Sequence, residues 1–421
     1  MRYMSMLIKN AIIATQDRYR SVIRGNVLVA NGKVAYVGSA SPKSTSVIDG
    51  RGKAVMPGLI NTHTHVAMAY MKGLLDDINL GEFLERTSRY DSKRTDRGLY
   101  NSALLGMLEM IDSGTTSFLD LYYSEDVIAR AAEKAGMRAF LSWVVLDDEF
   151  TTQKGSPLKN AARFIQGLNS HRKDLMVTPS VGIQGVYVAN DETMIKAKEL
   201  ADRYGTTLHM HLAETESEVK ESLKRFGERP AERIGRLGLI DNKLIAAHCI
   251  WLNKMEQGML GKGHANISWN QVSNSKLASG AADIVGLQKH GANITIGTDS
   301  NGSNNTLSML ESMKFGALHA KSEYADTSKA TAQQVFDMAT VNAAKALGRT
   351  DLGSIEAGKS ADLVVLDLSS PNMRPTNEGN LINNIVYSSN PSNVDIVIIG
   401  GKIVKRGNSL SVMLEKTLDF V

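Results

Sequence analysis

Eight times between residues 57 and 352, a short apolar, β-branched run gives way to a longer helical stretch. The strand-like runs are Leu59-Ile60, Thr115 to Leu119, Ala139 to Val145, Met176 to Ile183, Thr206 to Leu212, Leu244 to Ala247, Ala265 to Ser268 and Asn293 to Ile296. Helical patterns lie between them, among them Tyr100 to Ile111, Val127 to Ala135, Thr193 to Arg203 and Glu216 to Phe226. This alternation predicts an α/β fold, and eight such units suit a (β/α)8 TIM barrel better than an open sheet. Asp147 to Gly155 is polar and irregular, which fits a long barrel loop.

The flanks read differently. Asn26-Val-Leu-Val-Ala30 and Lys33-Val-Ala-Tyr-Val37 are β-branched runs separated by Asn31-Gly32, a strong hairpin signal because both residues tolerate positive φ. Near the other end, Ala361 to Leu366, Asp395 to Ile399 and Lys402 to Lys405 read as strands, the last two joined by Gly400-Gly401. Neither piece is large enough to fold well alone. Residues 1–56 and 353–421 are therefore expected to pair into one small β domain beside a barrel at 57–352.

Composition narrows the partners. Hydrophobic residues at 43% and charged residues at 22% exclude a disordered chain. The single cysteine, Cys249, excludes an intrachain disulfide and points to a reducing, cytoplasmic setting. A formal net charge of +4 is too small and too dispersed for a nucleic-acid footprint. Lys220 to Arg229 alternates with Glu218, Glu221 and Glu228 and reads as a solvated helix face. The apolar stretch Ala11 to Ala14 is too short for a signal-peptide core, and no run approaches the roughly 18 to 20 apolar residues of a membrane span. A small molecule is the expected partner.

In such a barrel the chemistry sits at the C-terminal ends of the strands. His63 and His65 close the first strand, His209 and His211 the fifth, His248 the sixth, and Asp299 the eighth. Residues i and i+2 on a strand share a face, so each His-x-His pair can reach one ion. Alone, any of these is more simply a hydrogen-bonded core histidine or a turn-capping aspartate. Five of the nine histidines and one aspartate at four strand ends make a divalent metal site the better reading. His171, His264, His290 and His319 are left as structural or surface residues. Nitrogen and oxygen donors without thiolate suit one Zn²⁺ per chain, and Fe²⁺ or Mn²⁺ could use the same set. Asp299 could both ligate and accept a proton, His248 could hold a water or a developing oxyanion, and Glu214 could shuttle a proton to a leaving group.

Met56-Pro-Gly-Leu-Ile-Asn-Thr-His-Thr-His65, His211-Leu-Ala-Glu214, Ala247-His248-Cys249 and Gly297-Thr-Asp299 together resemble the amidohydrolase superfamily. Asn270-Gln-Val-Ser-Asn-Ser-Lys-Leu-Ala-Ser-Gly280 and Ser303-Asn304-Asn305 are similar to its branch of methylthioadenosine/S-adenosylhomocysteine deaminases and triazine chlorohydrolases. The resemblance spans nearly the whole chain and implies that the two end pieces form a small composite β-sandwich beside the barrel. It implies that His63, His65, His211 and Asp299 bind one metal and that Glu214 and His248 handle protons. The fourth strand has no lysine where binuclear members carry a carboxylated one, so a mononuclear site is expected. His209 faces inward beside His211 as a supporting residue. Glu82, before Phe83-Leu84, matches the acid that holds ribose hydroxyls in the nucleoside deaminases.

Two positions depart from that pattern. Gln184 stands where those deaminases carry a histidine, and Trp143 stands where an arginine is expected, offering a stacking surface instead of a charged anchor. The leading expectation is a hydrolytic deaminase of an aminated heterocycle, most simply an adenosine-type nucleoside. The alternatives are another C–N or C–Cl bond, as in guanine or cytosine deaminases or triazine chlorohydrolases, and a non-catalytic metal-binding scaffold. Members of this branch commonly form homo-oligomers, and no interface is legible in this chain.

Overall fold

The computed structural model describes residues 5–78, 80–169 and 176–411; His171 lies outside them. Eight strands run in parallel, each beside its sequence neighbour: β1 (Leu59–Thr64), β2 (Thr115–Tyr122), β3 (Arg138–Val145), β4 (Val177–Ile183), β5 (Leu208–Leu212), β6 (Leu244–His248), β7 (Asn266–Trp269) and β8 (Asn293–Ile296). They are buried almost throughout, as parallel strands covered by helices must be. The circle closes at the C-terminal ends of β1 and β8. Thr64 bridges to Asp299, whose N–H donates to the His63 carbonyl at 3.0 Å. The Thr62 hydroxyl lies 2.8 Å from that of Thr295, and Asn61 Nδ2 donates to the Thr298 hydroxyl at 2.7 Å across the same seam. The eightfold alternation thus yields the expected TIM barrel.

Among the helices on the outside, three matter below: α1 (Leu80–Asp91), α2 (Pro157–Asn169) and α3 (Glu216–Phe226). The last begins where the Thr215 side chain accepts from the Glu218 N–H, and stops at Gly227, whose φ of 72° is left-handed. No helix among the described residues is long and apolar enough to cross a membrane.

Both ends of the chain form one mixed sheet beside the barrel. Lys53–Pro57 pairs antiparallel with Leu363–Asp367, placing Val55 opposite Val365. The Asn31-Gly32 turn joins Val22–Ala30 to Lys33–Gly38 with φ of 53° and 75°. Ser5–Ala14 is a further strand that the sequence pattern does not announce. Its alternation breaks between Ile8 and Ala11, where Asn10 takes φ 64°. Ile8, Ile13, Val27, Val55, Leu363 and Val365 share the apolar core of this region. The Arg138 guanidinium, at the start of β3, forks onto the Asp362 carboxylate at 2.8 and 3.0 Å and ties barrel to sheet.

Candidate active site

The predicted ligands converge. His65 Nε2 lies 3.3 Å and His63 Nε2 3.5 Å from Asp299 Oδ1, and His65 Nε2 is 3.2 Å from His211 Nε2. Two of the strand ends are turned sharply. His248 and Asp299 adopt left-handed backbones with φ of 71° and 62°, a strain that packed surroundings must hold and that concentrates at functional sites.

The proton positions of these rings follow from their outer partners. His65 Nδ1 sits 2.6 Å from the Leu121 carbonyl and His211 Nδ1 2.6 Å from the Gln184 carbonyl. A carbonyl can only accept, so both Nδ1 atoms carry the proton and both Nε2 atoms present lone pairs to each other. His63 Nδ1 faces His209 Nε2 at 2.8 Å, and His63 Nε2 is buried with no hydrogen-bond partner. Asp299 turns Oδ2 to the Ser273 and Ser303 hydroxyls at 2.5 and 2.8 Å, which leaves Oδ1 for the histidines. Two imidazole lone pairs, the unpartnered His63 Nε2 and a carboxylate oxygen converge, a donor set that a cation would satisfy, so the residues fit a divalent metal. His209 supports that arrangement: its Nδ1 lies 3.3 Å from the Ser142 hydroxyl, holding the ring against His63.

Beside the cluster, His248 Nε2 is 3.9 Å from Glu214 Oε2, and His248 Nδ1 is 2.7 Å from Asn274 Oδ1. Burial pushes the Glu214 carboxyl up, with His248 opposing. For His248 burial disfavours the charged ring, but the Glu214 and Asp299 carboxylates outweigh it and raise its pKa. Glu218 holds this corner together. Its two oxygens accept the N–H groups of Ala213 and Glu214 at 3.1 and 2.8 Å. That corrects the reading of Glu218 as part of a solvated helix face: it is 7% exposed, because α3 turns this position inward. Burial raises its carboxyl to about 7.

A cavity of about 240 Å³ opens over the cluster, lined by His65, His211, Glu214, His248 and Asp299. Gln184 and Tyr187 line it too. Two expectations meet a different geometry. Trp143 points away from the cavity, its ring 5.6 Å from Phe164 of α2 and its indole N–H on Gln153 at 2.7 Å. Side chains alternate along β3, so with Ser142 inward against His209, Trp143 must face the helices. Glu82 accepts from Arg86 at 2.5 Å on the outer side of α1, whereas Phe83, Leu84, Thr87, Ser88 and Asp91 of that helix line the cavity. Asp91 is a site residue that no motif announces.

Residues 54–404 match the model of the amidohydrolase family. The chain is 38% identical over 406 residues to a 5-methylthioadenosine/S-adenosylhomocysteine deaminase of Thermococcus sibiricus, covering 95% of this chain and 94% of the relative. It is 37% identical over 415 residues to a 5'-deoxyadenosine deaminase of Methanosarcina mazei, covering 98% and 95%. The crystal structure of an adenosine deaminase from Xanthomonas campestris with bound zinc superimposes with a TM-score of 0.92 at 29% identity, over 97% of this chain and 95% of that one. With its barrel, its converging histidines and these relatives, the chain belongs to the amidohydrolase family.

Proposed function

We propose that this protein is a hydrolytic deaminase of adenosine-type nucleosides, releasing ammonia from the aminated ring. The observation that carries the reading is Glu214, a carboxyl 13% exposed and raised by desolvation, beside a histidine and beside a cluster of histidines and an aspartate that could hold a metal. Relatives named as deaminases of methylthioadenosine, S-adenosylhomocysteine and 5'-deoxyadenosine support the substrate class. The ion, Zn²⁺ by the donor set and by the bound zinc of the Xanthomonas structure, would be held by His63, His65, His211 and Asp299. When bound, it acidifies a water and so supplies a nucleophile near neutral pH.

The chain's own groups do the rest. Asp299 takes the proton of the attacking water on its carboxylate. Glu214 gives its proton to the ring nitrogen next to the carbon under attack and regains one from the new hydroxyl as the C–N bond breaks, while the proton held by Asp299 leaves with the amine as ammonia. His248, fixed by Asn274 and charged more readily in the company of two carboxylates, donates to the oxygen that becomes negative. Glu214→Gln keeps the shape and loses the proton. It is expected to retain metal by elemental analysis while ammonia release from adenosine falls about 10²- to 10⁴-fold. A wild-type rate in that variant overturns the reading, and chloride release from a chlorotriazine without ammonia release from nucleosides replaces it with the C–Cl reading.

A further inference from the structure

One short helix holds both Asp299 and His248. α4 (Gln271–Lys276) follows β7 and turns two neighbouring side chains towards the cluster. The Ser273 hydroxyl donates to Asp299 Oδ2 at 2.5 Å, and Asn274 Oδ1 faces His248 Nδ1 at 2.7 Å. Asp299 and His248 end different strands, so their relative placement depends on where this helix sits. Its 6 residues make fewer than two turns, too few to hold a position by helix formation alone. Lys276, at the last position, supplies the anchor. Its ammonium donates to the Asp76 carboxylate, to Asn305 Oδ1 and to the Gly302 carbonyl, the last at 3.1 Å. An ammonium has three N–H groups, and these three acceptors use them all. Asp76 lies between β1 and α1, whereas Gly302 and Asn305 lie just beyond Asp299. The two loops also meet directly, since Asn305 Nδ2 donates to the other Asp76 oxygen at 3.3 Å. A Cβ at Gly302 would lie 3.0 Å from the Leu75 side chain and 3.2 Å from that of Phe83, so glycine permits this close approach.

We propose that Lys276 is a positioning residue: by fastening α4 to the loops after β1 and β8, it sets the placement of Asp299 and His248 through Ser273 and Asn274. Its kinetic consequence rests on the deaminase reading above. The residues lining the cavity include Leu277 and Ser300 but not Lys276, so Lys276 acts through its neighbours and not on substrate. An isolated ion pair with side chains 22% and 34% exposed would contribute little. Three acceptors drawn from two loops make this one a junction. Asp299 and His248 act on the reacting atoms, so misplacing them slows the chemical step and leaves binding of the rest of the nucleoside almost untouched.

The test compares wild type with Lys276→Met, Asp76→Asn and the double variant. Ammonia release from adenosine, normalised to the metal content of each sample, is measured alongside amide hydrogen exchange. Lys276→Met keeps an unbranched stem and loses all three donors. It should lower kcat about 10- to 100-fold with KM within about threefold. Exchange should speed up in residues 271–279 and in 300–305, while 138–145 at the sheet junction stays as in wild type. Asp76→Asn keeps the acceptor and removes its charge, and should lower kcat about two- to tenfold. The double variant should fall within about twofold of Lys276→Met, because the two side chains act as one unit. A kcat for Lys276→Met within about twofold of wild type, a rise in KM alone, or unchanged exchange in either segment overturns the proposal. Should Lys276→Met fail to fold, Asp76→Asn decides by the same split of kcat from KM and the same two exchange segments. If wild type releases no ammonia from adenosine or its 5'-deoxy analogue, the deaminase reading fails, and the exchange comparison still decides whether Lys276 fastens the helix.

Discussion

Two buried polar clusters sit at opposite ends of the same barrel, and they are built on opposite rules. At the junction with the end sheet, Arg138 and Asp362 are 4% and 5% exposed, the guanidinium donates to both carboxylate oxygens, and the Gly400 N–H adds a further bond to the carboxylate at 2.8 Å. At the mouth, acceptors face acceptors: two imidazole lone pairs lie 3.2 Å apart with a carboxylate oxygen beside them, and the Nε2 atom of a third ring, His63, has no partner. The first is complete as it stands and serves the fold. The second is complete only with a cation, and the barrel holds it in place by bonds to the far side of each ring.

If the two clusters are separable, breaking one should leave the other intact. Asp362→Ala strips the Arg138 guanidinium of its carboxylate and should cost about 3–5 kcal/mol in denaturant unfolding, with ammonia release per folded molecule unchanged. A drop in activity beyond the unfolded fraction would show that the junction also tunes the mouth. Glu218 is a sharper probe, since it serves the mouth but is itself fully bonded. Its folded value of about 7 lies above its ordinary 4.5, so folding favours the protonated form. The stability it contributes is complete below pH 4.5 and is lost as the pH rises through 7, on the order of 3 kcal/mol. Glu218→Gln cannot titrate, so unfolding free energies at pH 5 and pH 8 should differ less in the variant than in wild type by about that amount. His209→Ala should have the smallest effect on free energy. It releases His63 and should weaken metal retention about 10- to 100-fold in chelator competition while the fold persists. Unchanged retention would mean that packing alone orients His63.

The same contrast explains what was legible in the sequence. The eight strands and the clustered side chains at their ends could be read because burial on both faces gives each strand an unbroken apolar signature, and His-x-His spacing needs only the period of a strand. Trp143 was misread because period alone does not say which phase faces inward; that is set by Ser142 meeting His209, 67 residues away in sequence. Glu218 failed for the helical version of the same reason: among the charges of α3 only its rotation about the axis separates the buried acid from the solvated ones. Asp91 carries no local signal, since its tyrosine partners, Tyr70 and Tyr122, come from other segments. Ser5–Ala14 hides behind one left-handed asparagine.

The seam between β1 and β8 has a consequence for how the protein is made. His63 and Asp299 are joined there by a backbone hydrogen bond, and the side chains across the seam come from segments 237 residues apart. A nascent or partly folded chain that has not yet docked its eighth strand lacks the carboxylate corner of the metal site. An ion held by both strands is therefore linked to closure, each strengthening the other by mass action. Metal uptake during refolding would report when the ring has shut, and an ion supplied early would act as a latch on the most distant strand pairing in the barrel.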